Sequence, residues 1–132
     1  MCWRLWTFFP NEYTYKILYI DDAIDEDIIS WFQEAFKFID SSINNIYIHC
    51  VMGISRSPSI VIGYLMYKKK MKYEEAYDFV KNKRNVISPN PGFQEQLKNF
   101  EEILKENNYI LPDNINKNKN KDDKDINIKN NI

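Results

Sequence analysis

An α/β fold with a central, mostly parallel sheet flanked by helices is predicted by three features of the sequence. Short β-branched and aromatic runs at 15–20 and 46–48 have strand character, amphipathic helical stripes lie between and after them, and the opening order of strand, helix, strand is a crossover. At 132 residues and 44% hydrophobic, the chain is long enough for one domain with a real core and too short for two of ordinary size. The boundaries drawn from composition are a folded unit over 1–111 and a tail over 112–132.

The first ten residues are rich in aromatics but follow neither a helical nor a strand period. The apolar run at 15–20 ends at Asp21-Asp22, as a buried strand leading into a loop would. From about residue 25, Ile28, Phe32, Ala35, Phe36 and Ile39 recur every three or four positions, and Asp25, Glu26 and Asp27 would occupy the first helical turn, where the macrodipole favours acids. Asn44-Asn45 signals a turn, after which the run at 46–48 delivers Cys50 into a small-residue loop. Pro58, at a first-turn position, opens a helix so apolar through Ile60, Val61, Ile62, Leu65 and Met66 that most of its circumference should be buried. Another helix is expected over 73–84 with Ala76, Phe79 and Val80 inward, and a last one from Pro91 with Phe93, Leu97, Phe100 and Leu104 as its stripe and Asn90 as its N-cap. The lysines at 68–70 and 72, with Lys81, Lys83 and Arg84, read as solvated helix surface. Beyond residue 111 only Asn, Lys, Asp and Ile dominate, a composition that cannot offset its ordering entropy, so a disordered tail is expected.

Charge and cysteine content narrow the functional classes. A formal net charge of −1 gives no general attraction to nucleic acid or anionic membrane, and no apolar run approaches the length of a membrane span. Cys2 and Cys50 are too few for a disulfide framework and suit a reducing compartment, while a single histidine, His49, excludes a His-rich zinc site. An intracellular protein, cytoplasmic or nuclear, is expected, with no metal and no cofactor.

The chemistry concentrates at residues 49–58. A strand presents Cys50, the loop Val51-Met52-Gly53-Ile54-Ser55 turns its N–H groups inward, and the helix beginning near Ser57-Pro58 aims its positive end at the same place. A cysteine attacks as thiolate, and both a helix N-terminus and a cation such as Arg56 stabilise that form. Arg56 also offers a planar fork suited to two phosphate oxygens. Gly53 marks a position that needs a positive φ or close backbone approach. His49 precedes the nucleophile on a strand and so projects to the opposite face, where its ring is expected to hydrogen-bond the loop backbone. A lone cysteine is ordinarily a small buried core residue, but His, Cys, Gly and Arg at these offsets together point to a nucleophile in a phosphate cradle.

The pattern His49-Cys50-x-x-Gly53-x-x-Arg56-Ser57 resembles the signature of the cysteine-dependent protein phosphatases, and its surroundings resemble the dual-specificity branch. Asp22 followed by Trp31-Phe32-Gln33-Glu34-Ala35, the run from Ser57 to Met66, and Ser88-Pro89-Asn90-Pro91-Gly92-Phe93-x-x-Gln96-Leu97 extend the likeness over roughly residues 15 to 105. The resemblance implies that Cys50 attacks phosphorus, Arg56 clamps the phosphoryl oxygens, Asp22 protonates the leaving oxygen and then activates water, and Ser57 stabilises the departing thiolate. It also implies a phosphate-binding loop of Val51, Met52, Gly53, Ile54, Ser55 and Arg56, with His49 and Asn90 in support. Asp21 competes with Asp22 for the acid role, and the acidic cluster can alternatively serve the helix dipole alone.

The loop positions Val51, Met52, Ile54 and Ser55 carry no cation, which favours a phosphorylated protein over a polyanionic substrate. Two other readings share the cysteine loop: a phosphate-binding module with little turnover, and a rhodanese-like or arsenate-reductase-like enzyme, the latter disfavoured by the upstream acid and the 90–97 segment. Domains of the resembled family begin several tens of residues earlier, with a strand, a helix and a strand. The expectation is therefore a fragment, in preference to a reduced variant with an uncovered sheet edge. Pairing of Cys2 with Cys50 is disfavoured against an incidental thiol.

Overall fold

The computed structural model describes residue 9 and residues 11–112; the opening aromatic segment, Cys2 and the expected tail fall almost wholly outside them. The described residues form a short 3-10 turn at Ile29–Trp31 and four helices: α1 (Phe32–Ser41), α2 (Arg56–Lys69), α3 (Tyr73–Lys83) and α4 (Pro91–Glu106). α2 lies at the centre and packs against the other three. No helix among the described residues is long and apolar enough to cross a membrane.

The helical stripes behave as their spacing demands. On α4, Phe93, Leu97, Phe100 and Leu104 are fully buried, and Phe32 and Phe36 of α1 stack on each other at 4.9 Å while Phe100 meets Phe32 edge-on at the same distance. Such aromatic contacts add to an already large area burial. Ile60, Ile62 and Met66 of α2 complete this core with Ala76, Ile87 and Ile28. Phe79 departs from expectation: it is 46% exposed, because Tyr73, Ala76 and Val80 set the inward face of α3 and Phe79, six residues after Tyr73, lies about 120° round the helix from it. Its ring instead lies under Lys83 Nζ, 5.8 Å from the centroid.

Two helix starts move. Helical structure expected from about residue 25 begins at Ile29, since the Asp27 carboxylate accepts from Ser30 N–H at 3.2 Å and Ser30 Oγ returns a bond to the Asp27 carbonyl at 2.8 Å. Asp25, Glu26 and Asp27 thus lie ahead of the first turn, where local side-chain bonds compete with the helix. α2 starts at Arg56, two residues before Pro58, so the cysteine loop runs directly into it.

The two expected strands are not strands among the described residues: 15–20 and 46–48 make no ladder hydrogen bonds, having no partner strand there to pair with. Their side chains nevertheless keep order. Ile46, Ile48 and Cys50 are partly buried while Tyr47 and His49 are exposed, the period of two that a strand would show, and Ile20 is buried against the core.

Candidate active site

The loop from Cys50 to Arg56 folds around the sulfur. Gly53 has φ +63°, a left-handed conformation that glycine adopts without steric cost, and this turn brings its N–H to Cys50 Sγ at 3.2 Å. The Ser57 hydroxyl, on the first turn of α2, lies 3.3 Å from the same sulfur. Burial pushes the Cys50 thiol pKa up, but hydrogen bonds from the Ser57 hydroxyl and from the backbone N–H groups of Ser57, Gly53 and Ile54 outweigh it, and the net shift is downward. The thiolate is stabilised by converging donors at a helix N-terminus. Cys50 is a free thiol.

Arg56 is fixed from behind. Its Nη1 donates to the Ile20 carbonyl at 3.2 Å, tying the segment at 15–20 to the loop, while Nε is buried with no hydrogen-bond partner among the described residues. A buried guanidinium donor without an acceptor is costly, and a phosphoryl oxygen is the acceptor that its fork geometry suits.

Ser55 is buried and its side chain does not cap α2; it reaches across to the segment ahead of α1. Ser55 Oγ donates to Asp22 Oδ1 at 2.7 Å and accepts from Asn90 N–H at 3.0 Å. Asn90 Nδ2 donates to the same Asp22 Oδ1 at 2.9 Å and to the Ala23 carbonyl at 3.3 Å, while Asn90 Oδ1 caps α4 by accepting from Phe93 N–H at 2.9 Å. One asparagine therefore performs both tasks open to it, capping and tethering. Asp21 makes no such bond among the described residues, and of the two neighbouring acids it is Asp22 that joins the loop.

The segment 22–28 is gripped further along α4. Gln96 Nε2 donates to the Glu26 carbonyl at 2.8 Å and its Oε1 accepts from Ile28 N–H at 2.9 Å. Gly92 faces Ile24 so closely that a Cβ there would stand 2.0 Å from the Ile24 carbonyl oxygen.

His49 departs from expectation. Its ring stacks on Tyr47, centroids 5.1 Å apart, and makes no hydrogen bond to the loop among the described residues, because alternation along 46–50 turns both rings outward. Val51 and Met52 are exposed at the loop's rim. The roles of Ser55, Gln96 and Arg84 have no sequence-level signal beyond a loop serine, a motif glutamine and a charge run. Arg84, expected as solvated surface, turns back from the end of α3 to donate to the Gly53 carbonyl at 3.1 Å. Among the described residues no cluster of three His, Cys, Asp or Glu is placed to hold a metal ion.

A thiol, a guanidinium and a tethered carboxylate thus gather about one loop. Residues 3–103 match the family described as the dual specificity phosphatase catalytic domain. The chain belongs to the dual-specificity phosphatase family. It is 46% identical over 96 residues to dual specificity protein phosphatase 4 of Gallus gallus and, equally, to dual specificity protein phosphatase 1 of Homo sapiens, covering 70% of this chain and 26% of each relative. The chain thus spans about a quarter of the length of these curated relatives. Among solved structures, the human tyrosine phosphatase-like serine/threonine/tyrosine-interacting protein superposes with a TM-score of 0.67 at 39% identity, over 69% of this chain and 62% of that one. A leucine rich repeat and phosphatase domain containing protein from Entamoeba histolytica superposes with a TM-score of 0.59 at 32% identity, over 61% and 58%. The fold class is the α/β class of these dual-specificity phosphatase relatives, and the described residues show its helical part.

Proposed function

We propose that this chain hydrolyses phosphotyrosine and phosphoserine or phosphothreonine in proteins through a cysteinyl-phosphate intermediate. The observation that carries the reading is the convergence on one sulfur of the Gly53 N–H and the Ser57 hydroxyl, within a loop that Ser55 joins to Asp22. In the first step the Cys50 thiolate forms a bond to phosphorus and the bond from phosphorus to the leaving oxygen breaks. Arg56 holds the equatorial oxygens as charge redistributes. Asp22 Oδ1 already accepts two hydrogen bonds, so Oδ2 is the oxygen free to carry the proton given to the leaving group. In the second step Asp22 takes a proton from water, the water oxygen bonds to phosphorus, and the S–P bond breaks to release inorganic phosphate. The Ser57 hydroxyl donates to the sulfur as its charge returns.

The same reading treats 15–20 and 46–50 as neighbouring strands of a parallel sheet, supported by the period-two burial of 46–50, and takes residues 1–111 as the catalytic unit with 112–132 as an appendage. A phosphorylated protein is the expected partner, since the exposed loop residues Val51 and Met52 offer no charge to a polyanion. Because the chemistry needs a reduced thiol, the enzyme belongs in a reducing compartment, cytoplasm or nucleus.

Phosphate release from phosphotyrosyl and phosphothreonyl peptides tests the proposal. Wild type should turn over both, and Cys50→Ser should lose essentially all activity while still binding the peptides. Hydrolysis that survives Cys50→Ser removes the cysteine from the mechanism; peptide binding without hydrolysis by wild type makes the chain a phosphate-binding module instead.

A further inference from the structure

Three successive carbonyls of the cysteine loop are held by donors from residues 84–88. Arg84, immediately after α3, donates from Nε to the Gly53 carbonyl at 3.1 Å and from Nη2 to the Met52 carbonyl at 3.4 Å, and Ser88 N–H donates to the Ile54 carbonyl at 2.8 Å. Every peptide bond described here is trans, so each C=O points opposite to the N–H of the following residue. Drawing the Met52 carbonyl toward Arg84 therefore turns the Gly53 N–H the other way, to Cys50 Sγ at 3.2 Å. Drawing the Gly53 carbonyl does the same for the Ile54 N–H, another donor that acts on the thiol.

We propose that Arg84 is a positioning residue for the nucleophile: gripping two consecutive carbonyls from outside the loop, it aims the intervening N–H groups at Cys50 Sγ. The side chain is suited to this. One planar guanidinium spans both oxygens, which a single ammonium cannot do with the same geometry. Gly53 leaves room for it, since a Cβ there would stand 3.1 Å from Arg84 Nη2. Of the charged groups on neighbouring elements, Arg56 begins α2 and is tied to the Ile20 carbonyl, Asp22 is tied to the loop through Ser55, and His49, on Cys50's own segment, is turned outward against Tyr47.

The inference rests on Cys50 being the reactive thiol of the proposed reaction, yet its test needs no substrate. The pH dependence of Cys50 alkylation by iodoacetamide, followed by peptide mass spectrometry so that Cys2 is counted apart, reads the thiolate directly. Arg84→Ala should raise the alkylation midpoint by about one pH unit, and Arg84→Lys by less. Lys83→Ala, which removes a cation next door that lies over Phe79, should leave it unmoved. An unshifted midpoint in Arg84→Ala of native circular dichroism overturns the proposal, as does an equal shift in Lys83→Ala, which would make the effect one of charge alone. Should Arg84→Ala fail to fold, an unshifted midpoint in Arg84→Lys overturns it equally. A normal alkylation series beside absent hydrolysis would speak against the reaction and leave Arg84 in its role.

Discussion

Ser55 Oγ donates to Asp22 Oδ1 at 2.7 Å, and this bond joins the segment ahead of α1 to the loop that carries Cys50. Asp22 and the Cys50 loop are thereby referred to one buried hydroxyl, which Asn90 N–H holds in turn at 3.0 Å. The consequence is that the position of the proposed acid depends on a loop hydroxyl that has no part in bond making or breaking in the proposed reaction.

Ser55→Ala should therefore weaken leaving-group protonation without abolishing attack. A positioned general acid supplies roughly 10²–10⁴ in rate, and loss of one of two tethers should forfeit about tenfold of it. The fall should appear in kcat for a phenyl phosphate, whose leaving group needs the proton, and be small for an aryl phosphate with a good leaving group. Asp22→Asn should show the same pattern at full size, whereas Asp21→Asn should leave both rates within about twofold of wild type.

Asn90 separates capping from tethering. Replacing it by serine keeps an oxygen for the Phe93 N–H but removes the Nδ2 donor that reaches Asp22 and Ala23. Asn90→Ser should unfold within about 0.5 kcal/mol of wild type yet copy the leaving-group dependence of Ser55→Ala, while Asn90→Ala should add about 1 kcal/mol of destabilisation to that defect. Urea unfolding and steady-state kinetics on the same preparations distinguish the two contributions.

The lowered thiol pKa of Cys50 gives a signed pH dependence. Burial raises it and hydrogen bonds from Ser57, Gly53 and Ile54 more than compensate, so the thiolate persists to lower pH than in an ordinary cysteine. Cysteine alkylation should accelerate through a midpoint below that of an ordinary cysteine and level off above it. Ser57→Ala removes the side-chain donor 3.3 Å from the sulfur, and the midpoint should move up. The same substitution should slow breakdown of the phosphoenzyme more than its formation, visible as a larger burst relative to turnover.

The helical part of the fold was legible where packing is periodic and local. Phe93, Leu97, Phe100 and Leu104 follow one face and are all buried, so Phe100→Ala should cost about 3–5 kcal/mol on urea unfolding. Phe79 was not legible, because α3 has apolar residues on more than one face and only its neighbours decide which face is inward. Phe79→Asn should change stability by no more than about 0.5 kcal/mol. In the site, Cys50, Arg56 and the start of α2 stand in one contiguous stretch, so their nearness is legible from spacing alone. Arg84 and Gln96 act through backbone atoms 31 and 70 residues away in sequence, and no side-chain pattern marks a carbonyl as a partner. The runs at 15–20 and 46–48 have the composition of strands, but a ladder is a property of pairs, and neither segment has a paired neighbour among the described residues.

Gly92 offers the sharpest test of how the acid segment is held. A Cβ at this position would meet the Ile24 carbonyl oxygen at 2.0 Å and its carbon at 2.7 Å, both backbone atoms that no rotamer change can move aside. Either the first turn of α4 or the segment 22–28 must shift, and Asn90, two residues earlier, carries the tether to Asp22. Gly92→Ala should thus destabilise the domain by about 1–3 kcal/mol despite the higher helix propensity of alanine. It should also reproduce the leaving-group defect of Ser55→Ala with Cys50 alkylation unchanged, because the donors to the sulfur come from Gly53, Ile54 and Ser57, not from α4. A Gly92→Ala variant as stable and as active as wild type would mean that this close approach between α4 and the acid segment is not maintained in solution.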